Sequence, residues 1–173
     1  QVTKGAWCLR EVQRVDEAKS VVYFSASGVH HQEDPYLIHY YKIGMDGKNM
    51  VELTPGEGNH SAVFSYDYRY LVDTYSKVDQ APVTVLRDAD TGKLLKTLES
   101  PDISRLQQHG WVAPEVFVAK GRDGKTDMWG IIQRPTNFDP TKKYPVIEYI
   151  YAGPGDAYTP KSFLPYNWNM TSL

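Results

Sequence analysis

The sequence predicts a mixed fold class, the last blades of a β-propeller running into the first strands of an α/β domain. Three observations predict it. Short runs of Val, Ile, Tyr and Leu alternate with Gly, Asp and Asn up to about residue 98, an Asp-Gly turn recurs 45 residues further on, and one largely apolar strand follows near the C-terminal end.

The strands predicted in the first region are Leu9–Val15, Val21–Ser25, Leu37–Ile43, Met50–Leu53, Ser61–Phe64, Tyr70–Tyr75, Val83–Asp88 and Leu94–Leu98. Their β-branched and aromatic residues suit a pleated, half-buried surface. The segment Tyr41-Lys42-Ile43-Gly44-Met45-Asp46-Gly47-Lys48 ends a strand in an Asp-Gly hairpin, and Leu86-Arg87-Asp88-Ala89-Asp90-Thr91-Gly92-Lys93 nearly repeats it. Lys19–Tyr23 and Arg69–Asp73 lie about one blade apart in the same way. Four-stranded blades recur at about 40–50 residues. A β-sandwich has similar strand spacing, so the repeat alone leaves both architectures open.

Composition changes near residue 100. Ser100-Pro101-Asp102 offers an N-cap, a proline at the first helical position and an early acid, and Gly110 is placed to end the helix, so a linker helix is expected over Pro101–His109. Two strands then follow, Glu115–Lys120 and Asp127–Gln133, joined by the Asp-Gly turn of Arg122-Asp123-Gly124-Lys125 and stopped by Pro135. Val146-Ile147-Glu148-Tyr149-Ile150-Tyr151 reads as a strand buried on both faces of a parallel sheet. The domains expected are therefore residues 1–99, about two blades; 100–112, the linker; and 113–173, the α/β opening.

Bulk properties exclude several classes. With 41% hydrophobic residues and 19 basic against 21 acidic side chains, the chain has the composition of a folded protein and lacks the basic surplus of a nucleic-acid binder. The one cysteine, Cys8, allows no internal disulfide and no cysteine-based zinc site, and it is expected to be a partly buried, inert residue. No apolar run approaches the roughly 20 residues of a membrane helix. The ends, Gln1-Val2 and Asn169-Met170-Thr171-Ser172-Leu173, read as cuts within a longer sequence.

Lys143-Tyr144-Pro145-Val146-Ile147-Glu148-Tyr149-Ile150-Tyr151-Ala152-Gly153-Pro154 resembles the strand and loop that open the catalytic core of prolyl oligopeptidase-family enzymes, in particular the dipeptidyl-peptidase IV-type serine peptidases with their Tyr-Ala-Gly-Pro turn. Asp127–Pro135 resembles the family's preceding strand and Phe138–Pro145 its connector, in the same order. Gly155 departs from the pattern, which often has another small residue there. The resemblance implies the C-terminal blades of a β-propeller followed by the first strands of an α/β-hydrolase domain, within a serine exopeptidase that removes N-terminal dipeptides with Pro or Ala second. A serine attacks, a histidine carries its proton and an aspartate holds the histidine. The match also implies that the Tyr151 hydroxyl is an oxyanion donor, with Gly153 and Pro154 shaping its loop. Read without the family, Tyr151 caps a strand.

The nucleophile and its partners are not found. No serine lies in a Gly-x-Ser-x-Gly elbow, and all five histidines precede residue 110, whereas triads of this fold place histidine last. The triad is expected beyond Leu173, and the chain alone is expected to be inactive. The alternative is a non-catalytic relative acting as a binding module. A peptide substrate for the parent, a homodimer and a periplasmic or cell-surface location are further implications; no cofactor or metal is expected.

Other signals read as structure. His30-His31-Gln32-Glu33-Asp34 is taken as a solvated loop, because neighbouring residues seldom converge on one ion. Asp88–Gly92 reads as a hairpin turn that lacks the later glutamate of a calcium loop, and Ser65–Tyr70 as strand packing. Asn59-His60-Ser61 and Asn169-Met170-Thr171 fit the glycosylation sequon.

Overall fold

Residues 2–151 and 157–164 are described by a computed structural model. The first sheet contains β1 (Cys8–Asp16), β2 (Val21–Ser27), β3 (Ile38–Gly44) and β4 (Val51–Glu52); the second contains β5 (Asn59–Phe64), β6 (Tyr70–Lys77), β7 (Gln80–Asp88) and β8 (Leu94–Glu99). In each, all neighbours are antiparallel and consecutive in the chain, giving two four-stranded meanders. A short helix, α1 (Ser104–Gln108), leads to a separate hairpin of β9 (Glu115–Lys120) and β10 (Asp127–Ile132). Among the described residues the sheets are open and no barrel closes.

The pattern of side chains explains how the sheets pack. Along β3, His39, Tyr41 and Ile43 are buried while the residues between them are partly exposed, the two-residue period of a strand with one covered face. The central strand β2 is covered on both sides. Its Tyr23 joins Leu53, Leu71 and Ala89 in a cluster drawn from both sheets, whereas Phe24 and Ala26 join Tyr41 and Ile43 under Trp7. The Trp7 and Phe24 rings stack at 5.8 Å. Fully burying side chains such as Leu53 and Leu71 contributes about 1.5–3 kcal/mol each, which makes the cluster shared by the sheets their main bond.

The repeated turn occupies the same place in both meanders, between the third strand and the fourth. Gly44 N–H donates to the Lys48 carbonyl at 2.9 Å, and Asp88 N–H donates to the Lys93 carbonyl at 3.0 Å. Gly92 in the second turn has φ +71°, and a Cβ there would stand 2.4 Å from the Glu52 carbonyl oxygen of the first sheet. Glycine is needed on both counts, and through it one turn rests directly on the neighbouring meander.

Three expectations are corrected. The helix begins at Ser104, three residues late, with Ile103 at the capping position and no side-chain cap; Asp102 instead closes a turn before it, accepting from Ser104 N–H at 2.8 Å. The buried strand over Val146–Tyr151 is not formed, and Val146 is 91% and Ile150 66% exposed. An inner parallel strand takes its hydrogen bonds from two flanking strands and its burial from helices on both faces, and the described residues supply neither. Cys8 lies exposed at the start of β1, not partly buried.

Candidate functional site

Tyr151 stands in the irregular segment after β10, 72% exposed. Its ring lies 5.5 Å from that of Tyr158, which in turn lies 5.2 Å from Tyr149. The Tyr158 hydroxyl donates to the Tyr149 hydroxyl, and that bond is the main reason the Tyr158 phenol is held above its ordinary value. Three tyrosines thus form an exposed patch around the position at which the sequence places an oxyanion donor. Gly153 and Pro154 lie outside the described residues, as does Asn169.

A second cluster gathers where the β2–β3 loop folds back over the first sheet. His39, 3% exposed on β3, has Nε2 at 3.1 Å from Glu33 Oε2 of the loop and Nδ1 at 3.3 Å from both Glu52 Oε1 of β4 and the Thr54 carbonyl. His30 Nε2, also from the loop, is 2.8 Å from Glu52 Oε1, and the Tyr41 hydroxyl is 3.4 Å from the same nitrogen. Burial pulls the His39 imidazole down, but the bonds to Glu52 and Thr54 and the charges of Glu33 and Glu52 outweigh it and leave it raised. Glu52 is pushed up by burial and, more strongly, drawn below the usual carboxylate range by the two histidines. Burial raises the Tyr41 phenol as well.

This arrangement corrects the view of His30–Asp34 as a solvated loop. Glu33 is only 21% and Asp34 only 11% exposed at the side chain, because one grips His39 and the other pairs with Lys161. His39 lies six residues on, across the end of the loop, and Lys161 lies 127 residues on, so neither contact follows from adjacency. The usable signal was the alternation that turns His39 inward on β3, beside two histidine-bearing loop positions.

His39 continues into the second sheet. Its ring lies 4.8 Å from that of His60, whose Nδ1 is 2.9 Å from the Asp73 carboxylate, and Arg87 Nε donates to the other oxygen of Asp73 at 2.8 Å. Asn59, the first sequon position, is occupied at both ends of its amide: it accepts from Ile38 N–H and donates to Ser162 Oγ.

A cavity of about 250 Å³ opens at this end of the sheets, where Glu33, Asp34 and Lys77 face Trp129 of β10 and the segment carrying Thr159 and Lys161. Lys161 pairs with Asp34, and Phe163 N–H donates to Ser76 Oγ at 3.1 Å while its ring meets Trp111 at 5.2 Å. The segment that follows Tyr151 in sequence is thereby tied back onto the strands.

Comparisons with known proteins agree with one another. Residues 1–82 match the family described as dipeptidyl peptidase IV (DPP IV) N-terminal region. The chain is 30% identical over 159 residues to the dipeptidyl peptidase 4 of Trichophyton rubrum, covering 89% of this chain and 20% of that one. It is 29% identical over 159 residues to the dipeptidyl-aminopeptidase B of Aspergillus niger, covering 88% and 17%. A crystal structure from Bacteroides ovatus, assigned as a dipeptidyl aminopeptidase IV, superposes with a TM-score of 0.72 at 29% identity, covering 94% of this chain and 22% of that one. The chain spans about a fifth of the length of these relatives.

Proposed function

We propose, from its likeness to the dipeptidyl peptidase IV N-terminal region over residues 1–82 and to dipeptidyl peptidases over most of its length, that this chain is part of a serine exopeptidase that releases N-terminal dipeptides, with Pro or Ala preferred at the second position. The single observation that carries the reading is that the likeness does not stop with residues 1–82. It extends over 94% of the chain, through the segments whose ordered motifs end at Tyr151.

On this reading the two meanders are the last blades of a propeller, residues 100–112 link the domains, and residues 113–173 open an α/β-hydrolase domain. The division of labour follows from what the chain contains. It has no Gly-x-Ser-x-Gly elbow and no histidine after residue 109, so the nucleophile and the base come from the remainder of the parent protein. What it contributes to chemistry is Tyr151, whose hydroxyl donates a hydrogen bond to the oxygen that becomes negative when serine adds to the scissile carbonyl. A phenol suits the task because it is a neutral donor on a stiff ring, presented without a change of charge.

The experiment compares the parent protein with this chain alone on a chromogenic Gly-Pro conjugate. The parent is expected to release the chromophore and to lose that activity to a serine-directed inhibitor, while the chain alone stays at the buffer blank. A parent that is inert on Gly-Pro and Gly-Ala conjugates, or a chain that turns over alone, contradicts the proposal.

A further inference from the structure

We propose that His30, His39 and Glu52 form a binding site for a divalent transition-metal ion of the zinc class, which clips the β2–β3 loop onto the first sheet. The three side chains come from separate segments, a loop, a central strand and a short edge strand. Their ligand atoms nevertheless all lie within 4.8 Å of one another. A tetrahedral zinc site with bonds of about 2.0–2.1 Å places its ligand atoms about 3.3 Å apart. Of the separations, 3.3 Å from His39 Nδ1 to Glu52 Oε1 already matches that spacing and 2.8 Å from His30 Nε2 to Glu52 Oε1 falls short of it by about 0.5 Å. The third closes with a shift of at most about 1.5 Å by the His30 ring, which sits in a loop and is 38% exposed.

The surroundings of His39 have the form that metal-bound imidazoles take. A ligating histidine usually donates its other ring N–H to a carboxylate, which fixes the tautomer and raises the basicity of the coordinating nitrogen. Glu33 occupies that position at 3.1 Å from Nε2. Nδ1 then faces two oxygens and no donor, the Glu52 carboxylate and the Thr54 carbonyl. Charge points the same way. Glu33 and Glu52 bring two negative charges to one nearly buried imidazole, and a single imidazolium proton neutralises only one of them, whereas a dication meets both. Binding releases any proton held on His39 Nδ1 or His30 Nε2 to solvent, and no bond is otherwise made or broken.

The ligand set selects the ion. Two imidazoles and one carboxylate suit Zn²⁺ and its borderline neighbours, whereas Mg²⁺ and Ca²⁺ require oxygen ligands. The exposed side of His30 leaves the fourth position to water, with the Tyr41 hydroxyl 3.4 Å from His30 Nε2 at its border. Fixing this loop would also fix Glu33 and Asp34, which line the cavity facing Trp129 and Lys161.

The test is calorimetric titration of the chelator-treated chain with zinc chloride, with magnesium chloride as the control ion. The chain is expected to take up one equivalent of zinc and to show no saturable heat with magnesium. His30→Ala, at a partly exposed position, should melt like the unsubstituted protein without metal yet bind zinc at least about tenfold more weakly; Glu52→Gln should weaken zinc binding at least as much. His31→Ala and Cys8→Ser should bind as before. Absence of a one-equivalent phase overturns the proposal. So does loss of binding in His31→Ala or Cys8→Ser with binding kept in Glu52→Gln, which would identify a surface imidazole pair or the exposed thiol as the ligand.

Discussion

Asp73 shows how one side chain can hold several segments in place. It is fully buried on β6, with one carboxylate oxygen 2.9 Å from His60 Nδ1 of β5 and the other accepting from Arg87 Nε of β7 at 2.8 Å. Arg87 passes the connection on, donating to the Gly92 and Pro55 carbonyls at 3.2 and 3.1 Å. Removing one partner of such a pair strands the other charge away from water, at a cost of about 3–5 kcal/mol. Asp73→Ala is therefore expected to lower the urea unfolding free energy by about that much, while Glu57→Ala, which breaks the exposed pair with Lys77, costs about 1 kcal/mol or less. Equal effects from the two substitutions would contradict the assignment of Asp73 as a structural centre. The partners were not legible in the sequence: the period of the strand sets Asp73 on the face of Leu71 and Tyr75, but nothing local names the groups that satisfy it. Those groups are a histidine and an arginine from two other strands.

At the scale of elements, the turns were the most readable features. The Asp-Gly hairpins have local causes: a glycine that accepts positive φ and an aspartate that binds its own backbone two or three residues on. In the β9–β10 turn the Thr126 hydroxyl, followed by the amides of Lys125 and Thr126, draws the Asp123 carboxyl down to about 2. Because its folded value lies below the ordinary 3.8, the contribution of this carboxylate is full above that pH and is lost as pH falls through about 2. A carboxyl-carbon NMR titration should thus place Asp123 near 2, and a midpoint near 3.8 would mean that the turn does not bind its aspartate. The less readable elements depend on distant chain. The α1 start was misread because Ser100-Pro101-Asp102 has the composition of a helix N-terminus, whereas the Asp102 carboxylate closes a turn onto Ser104 N–H and the helix begins only after it. Val146–Tyr151 has the composition of a buried strand, but composition states a preference for burial and cannot provide the flanking strands that satisfy it.

For the whole molecule, the strands group into two meanders that share a core, and the segment after Tyr151 returns to them through Lys161, Ser162 and Phe163. The sequence repeat of about 45 residues foretold the pairing of like with like, since equivalent turns follow the third strand of each meander. The histidine contacts were hidden for the opposite reason: His30, Glu33, His39 and Glu52 are brought together by the fold of the first sheet and its loop, His60 and Asp73 by the second, and only the His39–His60 ring contact waits for the sheets to stack. Tyr151 was legible through a motif, not through any local physical signal, and its setting in the structure is an exposed patch of three tyrosines. Its hydroxyl is the one group in this chain to which the proposed chemistry assigns a role. The most direct measurement is the steady-state kinetics of Tyr151→Phe in the full-length parent, a substitution that keeps the ring and removes the donor. If the hydroxyl acts on the transition state, kcat falls about 100-fold, equivalent to about 2.7 kcal/mol, with KM nearly unchanged. An unchanged kcat, with or without a lower melting temperature, would contradict it and leave Tyr151 as a structural residue.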